Sequence, residues 1–538
     1  MPTRPIRPTP SPRRPLRAAR AAVRAPLFAA GAAGLVAAAS AGLVAPAPAA
    51  AQATEARADE IRLMIKRFIA ESLAGQPDMA VVLDLPEPIG VAPAGDGYAA
   101  TIPAGRAMVR SKGGEGAIVG FDAIGIDITE TERGWLDMVF AVPGSVRVLA
   151  AEVEGESMVP SGDAVTVTAA KRRLDVTVAP DWGFVMAADI AFGDLVANLE
   201  GTPARLAIGA IEATQRSEPV DGAAPDVFDQ TLTGALRGVS FVDPEGAELL
   251  TLEEAGLDSR TDAMRPAEIV AVTDRLSGLQ DELAAAGGPG ADAEALMAEL
   301  TGVVTEMPLL LAGGQGAYTL SGLTIDAEGT RVTIDGARMG GSLTGLDGAA
   351  STVGLTLGVD GFAIDPEPEE AAGFVPRRTA LELRFVDLPN EALRENLIGF
   401  LQTAMSMGPE MAGPMALGQL QAALMQGGAS IRLDDLTVVT DETALGATGA
   451  VVPAPSSPFM VAADAMVEIA GLDALVTRLK GEPAAEDALP VLTMLQAMGQ
   501  QATAEDGTPV RRYDLEFTEA GELTLNGADL GPLLDEAL

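Results

Sequence analysis

"GAYTLSGLTIDAEGTRVTIDG", residues 316–336, follows a helix-like run that ends in "LLLAGGQ". A similar stretch, "GASIRLDDLTV", starts at Gly428 and follows a run that ends in "LMQGG". Both stretches alternate apolar and polar residues, which is typical of a strand with one buried face. Because the same helix-to-strand junction occurs more than once, the sequence predicts a repeated unit.

The run before the first junction predicts a pair of antiparallel helices. Apolar residues recur at steps of three and four on both sides of a "GGPG" break at 287–290, which is the pattern of helices with one apolar stripe each. We expect the pair to lie on a sheet, with Leu276 and Leu300 buried. The stripe residues are Ile269, Val272, Leu276, Leu279 and Leu283, then Ala293, Leu296, Leu300, Val303 and Met307.

Two later segments repeat this order. The strand "TALELRFVDL" leads into "PNEALRENLIGFLQTAM" and "ALGQLQAALMQ", and the strand "AMVEIAG" leads into "LDALVTRLK" and "LPVLTMLQAMGQ". Neither a helical pair nor a one-sided sheet can bury its apolar side alone, so each copy needs the sheet beneath it. Leu397 and Leu475 are therefore expected to be buried like Leu276. The cores of the three copies lie near residues 240–330, 380–445 and 463–530.

The region from Tyr98 to Ile211 has a different pattern. Stretches such as "WLDMVFAV" and "RLDVTVAP" alternate in polarity between Gly, Pro and Asp residues, which predicts an antiparallel meander. Residues 215–226, "QRSEPVDGAAPD", predict a loop or linker. The expected fold class is α+β, with long antiparallel β-sheets in a meander or repeat and helical hairpins packed on one face.

These patterns predict five segments. Residues 1–53 form a signal peptide, 54–75 an N-terminal amphipathic helix and 76–214 an antiparallel β domain. Residues 227–378 form a β region with the first helical hairpin, and 379–538 hold two further repeats. The helix at 55–74 has two interpretations: a membrane-surface helix, or a helix packed on its own domain. Its polar face mixes charges, which favours the second.

The N-terminus predicts export. Seven arginines and no acid precede an uncharged run from Ala25, and Ala51-Gln52-Ala53 follows, which is the order of a secretory signal peptide cleaved before Thr54. An uncleaved anchor is the alternative, because about 20 apolar residues span a bilayer. Arg13-Arg14 leaves a twin-arginine route open beside the general one. Loss of seven arginines takes the net charge from −40 to −47.

Composition excludes several functions. The 76 acidic residues against 36 basic ones repel phosphate backbones, which argues against nucleic-acid binding. The chain contains no Cys and no His, which excludes disulfides, Cys/His zinc sites and histidine-based triads. Thr477-x-x-Lys480 and the acidic "DPEPEE" at 365–370 lack the residues that accompany catalytic or calcium motifs. We therefore expect no metal and no cofactor, and nominate no catalytic residue.

Three stretches carry a family resemblance: "LRGVSFVDPEGAELLTLEEAGLDS", "GLDALVTRL" and "YDLEFTEAGELTLNGADL". Together with "YAATIPAGRAMV" and "GIDITETERGWLDMVFAVP", the chain resembles an uncharacterised proteobacterial envelope family, the domain of unknown function of the 2125 type. The resemblance implies export and a β-rich repeat fold. It implies no activity and no functional residue.

The leading hypothesis is a non-enzymatic periplasmic envelope protein that serves as a scaffold or carries an apolar, lipid-like ligand. Its partner would be that ligand or an envelope protein. One alternative is a carboxylate-dependent, glycosidase-like hydrolase, which would place acids around a concave pocket. Another is a membrane-associated protein-binding module.

Overall fold

A computed structural model describes residues 53–74, 79–111, 115–154, 157–286, 293–306, 310–327, 329–367, 373–407, 409–480, 488–504 and 507–530. The described chain divides into two compact units. The first unit holds the residues up to Thr214 together with Leu236–Thr251, and the second holds Gln215–Ala235 together with the residues from Leu252 onward.

The described helices are one N-terminal helix and three consecutive pairs. The N-terminal helix is α1 (Glu55–Ala74). The pairs are α2 (Pro266–Ala286) with α3 (Ala293–Glu306), α4 (Asn390–Met407) with α5 (Pro409–Gly427), and α6 (Leu472–Leu479) with α7 (Leu489–Met498).

Strands make up most of the described structure. They are β1 (Met79–Asp84), β2 (Gly90–Ala94), β3 (Gly97–Ile102), β4 (Gly105–Ser111), β5 (Glu115–Phe121), β6 (Ile124–Glu130), β7 (Leu136–Ala141), β8 (Ser145–Glu154), β9 (Ser157–Thr168), β10 (Lys171–Ala179), β11 (Phe184–Leu199), β12 (Arg205–Pro219), β13 (Phe228–Val242), β14 (Glu248–Met264), β15 (Gly313–Ala327), β16 (Thr330–Thr344), β17 (Ala350–Asp360), β18 (Ala363–Asp365), β19 (Arg378–Pro389), β20 (Ser430–Val439), β21 (Ala444–Pro453), β22 (Val461–Ala470), β23 (Gln500–Thr503), β24 (Pro509–Phe517), β25 (Leu523–Leu525) and β26 (Ala528–Asp529).

The first unit is a meander of long strands that are interrupted near their middles. β3 and β4 are separated by two residues and pair with β6 and β5, which are separated by two residues in turn. The halves β7 and β8, separated by three residues, and β9 and β10, separated by two, continue the pattern. Both β9 and β10 pair with β11. Each long strand is therefore divided into two collinear halves.

Helix α1 covers one half of this meander. Ile61 of α1 is 1% exposed and packs in one cluster with Leu136 of β7, Ile128 of β6 and Val176 of β10. The apolar side of α1 is therefore buried within its own unit, as the second of its two interpretations expects. The other strand halves hold a smaller apolar cluster around Val148 of β8.

The second unit is a long antiparallel sheet in the order β15-β16-β17-β19-β20-β21-β22-β24. β14 lies beside β15, where Gly314 approaches the Arg260 carbonyl and Gly256 approaches Thr319. β18 continues the line of β17 along β16, and β23 and β25 pair with β24. The first two helical pairs thus connect strands that are neighbours in the sheet, whereas α6–α7 connects β22 to β23, which both pair with β24.

The strand count fixes where each pair leaves the sheet. Antiparallel strands alternate in direction, so an even number of strands returns the chain to the same end and an odd number to the opposite end. Four strands separate the first pair from the second, and three separate the second from the third. The first two pairs therefore start at one end of the sheet, and α6–α7 starts at the other.

The glycines of the repeated junction act differently in the two places. A Cβ on Gly313 would lie 2.5 Å from the Leu343 carbonyl oxygen, so this glycine permits close approach of two strands. Gly428 has a φ of 77°, in the left-handed region that glycine favours, and ends α5 before β20. The resemblance between the two stretches of sequence therefore has two separate backbone causes.

Antiparallel β structure with helical pairs is confirmed, and two finer predictions are wrong. Gln215–Pro219 are not a linker but the end of β12, where Ser217 accepts a hydrogen bond from Gln230 of β13. Leu397 is 45% exposed, because α4 turns this position to solvent. Leu475 is buried at 7%, whereas Leu276 and Leu300 are half-buried around Val272 and Val303 of the first pair.

Several predictions fall on residues that lie outside the described part. These are the signal peptide up to Gln52, the "GGPG" break, Met307, and positions 368–370 of the acidic loop. The side chains of Leu283, Ala293 and Leu296 also lie outside it.

Candidate functional site

One face of the sheet in the second unit is apolar across eight strands. Residues directly opposite each other on paired strands point to the same face, so the strand register defines rows of side chains. Because side chains alternate along a strand, residues two positions away, such as Leu320 and Leu355, share this face. We call it the apolar face. One row of it consists of Tyr318, Met339, Leu357, Leu381, Leu436, Ala447, Val467 and Tyr513.

The opposite face of the same strands is charged. Arg384 of β19 pairs with Asp434 of β20, and its hydrogen bond lowers the pKa of the Asp434 carboxyl. Arg512 of β24 donates to Glu468 of β22 across 2.6 Å. The sheet is therefore two-sided, with water and ion pairs on one face and apolar side chains on the other.

An open groove of about 700 Å³ lies in the apolar face and crosses strands β14 to β20. Tyr318, Met339 and Leu357 line it in adjacent strands and are 57%, 52% and 37% exposed. At about 4.8 Å per strand, the groove extends roughly 24 Å across six strands. Its volume lies within the range of small-molecule sites, about 300–1,000 Å³.

The groove offers apolar contact rather than acid–base chemistry. Its lining includes no aspartate and no glutamate, and Arg338 is its one charged residue among those described. Within the described residues, no group of three or more Asp or Glu is placed to hold a metal ion. What this arrangement can do is take apolar surface out of water, at about 25 cal/mol for each Å².

A second cavity, of about 660 Å³, lies in the first unit where the long strands are interrupted. Asp84, Arg106, Asp122 and Arg147 line it, and Asp84 lies opposite Arg106 in the strand register. Arg147 also forms an exposed ion pair with Glu200 at 3.2 Å. The hydrolase hypothesis would place its carboxylates here, since this cavity contains acids and the groove does not.

The third helical pair shares an apolar cluster with residues of the apolar face. Leu472 and Val476 of α6 are buried against Tyr513 of β24, together with Val467 of β22. The Tyr513 hydroxyl donates to the Leu495 carbonyl at 2.8 Å, and burial raises the pKa of this phenol. Side chains of α6, β22 and β24 therefore share one apolar cluster, whereas Tyr318, Met339 and Leu357 in the groove are exposed.

Asp473 of α6 ties this pair to the sheet. Its carboxylate accepts hydrogen bonds from Arg511 of β24 at 3.0 Å and from Gln496 of α7 at 2.8 Å. These bonds, the one from Arg511 first, lower the pKa of the Asp473 carboxyl. The charged contact thus links both helices of the pair to one strand.

Two of the three predicted cleavage residues lie in the described part. Ala53 packs against the core of the first unit, and Thr54 directly precedes α1. The Thr54 hydroxyl accepts from the Arg57 amide at 3.3 Å, and the Thr54 amide donates to the Tyr98 hydroxyl at 3.3 Å. Thr54 is thus the N-cap of the helix. Ala51 lies outside the described residues.

Thr477 and Glu367 belong to the Thr477-x-x-Lys480 motif and to the acidic loop at 365–370. The Thr477 hydroxyl donates to the Asp473 carbonyl of the preceding helical turn at 2.7 Å. In the acidic loop, Glu367 forms an ion pair with Arg377 at 3.5 Å. Both polar groups therefore have partners within the fold.

The sequence did not identify the groove residues. The alternation in "GAYTLSGL" places Tyr318 and Leu320 on one face, but it equally predicts a strand buried under a helix. Only the cross-strand register brings Tyr318, Met339 and Leu357 together. The large size of these side chains was a possible signal for an apolar binding surface. The sequence of a single strand, however, does not show whether its side chains are exposed.

The chain matches no known family, no curated protein and no solved structure. The resemblance to the uncharacterised envelope family therefore stays a prediction. None of the described helices combines the length and the apolar character needed to cross a membrane.

Proposed function

We propose that this protein binds an apolar, lipid-like ligand in the groove of the second unit and acts as a non-enzymatic carrier or scaffold in the bacterial envelope. The observation that carries the proposal is the open row of Tyr318, Met339 and Leu357 on three paired strands. Large apolar side chains on adjacent strands form a continuous surface that water hydrates poorly. A ligand that covers it gains stability from the apolar area it buries.

An extended acyl chain fits this surface in shape. The hydrocarbon core of a bilayer is about 30 Å thick, so one leaflet corresponds to a chain of about 15 Å. The groove, at roughly 24 Å across six strands, accommodates such a chain lengthwise. Because its described lining contains no carboxylate, the groove would not repel an acidic headgroup from within.

We also propose that the helical pairs pack on the apolar face. Contacts of Leu472 and Val476 with Val467 and Tyr513 support this for α6–α7, since Val467 and Tyr513 belong to the same row as Leu357. In this arrangement the helices cover the ends of the face and leave the groove between them open.

The periplasm is the proposed location. The arginine-rich start, the uncharged run and Ala51-Gln52-Ala53 support export with cleavage before Thr54. N-terminal sequencing of the protein from the periplasmic fraction should begin at Thr54. Recovery of a chain that retains residues 1–53 in the membrane fraction would favour the anchor instead.

The groove is tested with a neutral fluorescent apolar probe, N-phenyl-1-naphthylamine, and with palmitate as competitor. The wild-type protein should enhance the probe's fluorescence, and palmitate should reverse the enhancement. Met339→Glu places a charge in the groove and should weaken probe binding at least about tenfold, because a bound probe would bury that charge without a partner.

The matched control is Gln315→Glu. Gln315 is exposed on β15 and points to the opposite face from Tyr318, so this variant adds the same charge without entering the groove. It should bind the probe like wild type. Equal binding by Met339→Glu and wild type would show that the probe sits elsewhere and would remove the groove as the functional site.

A further inference from the structure

Helix α5 carries no charged residue beyond its second position. No Asp, Glu, Lys or Arg occurs from Met411 to Ile431. Charged residues make up 21% of the chain, so a run of this length would ordinarily hold about four. Surface helices of soluble proteins carry charges on their outer side. The composition of this helix is thus unlike that of α1, which carries Arg57, Asp59, Glu60 and Arg62 in its first half.

The uncharged part of this helix is exposed rather than buried. Leu417 is 68% exposed and Met415 is 50% exposed. Pro414, Gly418 and Gln421 are exposed with them, whereas Ala412 is buried. From Ala412 onward the helix therefore presents a broad outer surface on which every side chain is neutral.

The apolar face reaches the base of this helix. Leu381, Leu383 and Phe385 alternate along β19 toward Pro389, where α4 begins at Asn390. On the neighbouring strand, Ile431 is 42% exposed and follows shortly after α5 and its terminal glycines. The groove and the exposed helix are thus connected by apolar side chains of two paired strands.

We propose that α5 docks on the surface of an uncharged, zwitterionic lipid bilayer and that an acyl chain passes from the bilayer to the groove along β19 and β20. The transfer route rests on the proposed ligand-binding function of the groove, whereas the docking itself does not. A lipid surface is the occupant that fits, because apolar side chains such as Leu417 gain from leaving water at the headgroup boundary, whereas charges on the inserting side of a helix are penalised.

The charge of the whole chain selects the kind of bilayer. A net charge of −40 repels anionic headgroups, and α5 carries no Lys or Arg to offset this. Docking should therefore be stronger on neutral than on anionic membranes. The helix would lie on the surface, since no described helix is long and apolar enough to cross.

Vesicle flotation tests the docking. The secreted protein, recovered from a periplasmic extract, is mixed with phosphatidylcholine vesicles and with vesicles that also contain phosphatidylglycerol. We expect flotation with the neutral vesicles and less with the anionic ones. The double variant Met415→Glu and Leu417→Glu should reduce partitioning about tenfold or more, because it introduces two charges on the otherwise neutral exposed surface of the helix.

Two controls separate the possible outcomes. Leu63→Glu makes the same type of change at a 66% exposed position on α1 and should float like wild type. Met339→Glu should also float while losing the probe, so that failure of the groove and failure of the docking are distinguishable. Light scattering then reports oligomeric state. If the double variant floats normally, or if it breaks an oligomer instead of abolishing flotation, α5 is not a membrane-docking helix and the proposal is wrong.

Discussion

Both units contain strands in which apolar and polar residues alternate, but the apolar side chains are buried in the first unit and exposed in the second. In the first unit, α1 covers the sheet, and Leu136, Ile128 and Ile61 are at most 1% exposed. In the second unit, Tyr318 and Met339 of an equally alternating sheet are more than half exposed. The difference is whether a helix lies over the strands. An apolar strand face is therefore a buried core in one unit and an open surface in the other.

Leu136→Ala should have the largest effect. Leu136 is 0% exposed, so its truncation should lower the free energy of unfolding by about 2–5 kcal/mol. Leu357→Ala, at a residue 37% exposed on the groove, should cost about 1 kcal/mol or less. Urea unfolding monitored by circular dichroism compares the two. Equal losses would mean that Leu357 is covered in solution and would contradict the contrast between the units.

Leu475→Ala should have the next largest effect. Leu475 is 7% exposed within the third helical pair, and its truncation should cost about 2–4 kcal/mol. Leu397→Ala, at a residue 45% exposed on α4, should stay within about 0.5 kcal/mol of wild type. The two tryptophans, Trp135 and Trp182, both lie in the first unit and make an edge contact, so their fluorescence reports that unit.

That fluorescence also tests independence. If Leu475→Ala moves the circular dichroism transition and leaves the tryptophan transition in place, the two units unfold separately. Coincident shifts in both signals would show that they unfold as one.

Tyr513→Phe should have a smaller effect. It removes the hydrogen bond from the Tyr513 hydroxyl to the Leu495 carbonyl while keeping the ring, so the expected loss is about 1 kcal/mol. The variant should unfold α6–α7 at lower urea than wild type, measurable by hydrogen exchange at amides of α7. A midpoint identical to wild type would mean that water replaces the phenol at no cost.

Lowering the pH should destabilise the second unit, and this is the smallest of the expected effects. Hydrogen bonds from arginine lower the pKa of Asp434, Asp441 and Asp473, all in this unit. A carboxyl whose pKa is lower in the folded state than in the unfolded state stabilises the fold at pH values above its unfolded-state pKa of 3.8. This stabilisation is lost as the pH falls from 3.8 toward the folded-state pKa. Asp473→Asn should reduce the acid-induced loss measured by urea unfolding at several pH values. An unchanged pH dependence would show that the exposed pair is fully screened.

The repeated helical pairs could be predicted because their signal is local. Steps of three and four mark each stripe, and Gly428 ends α5 where the sequence changes from a helical to an alternating pattern. The linker prediction at 215–219 was wrong because polar residues such as Ser217 pair with β13, and that partner is not visible in the local sequence. The prediction for Leu397 was wrong because the apolar residues of α4 are spread over much of its circumference. The sequence alone therefore does not show which side of the helix is buried.

The β-rich antiparallel class, the helical pairs, the excess of acidic residues and the lack of cysteine and histidine can all be read from the sequence alone. These follow from periodicity and composition, which are properties of short stretches or of the whole chain. Which apolar face is covered and which is open, by contrast, follows from how the elements pack in three dimensions. The register brings Tyr318, Met339 and Leu357 together on one face, and their exposure is set by what packs on the strands and not by the strands' own residues.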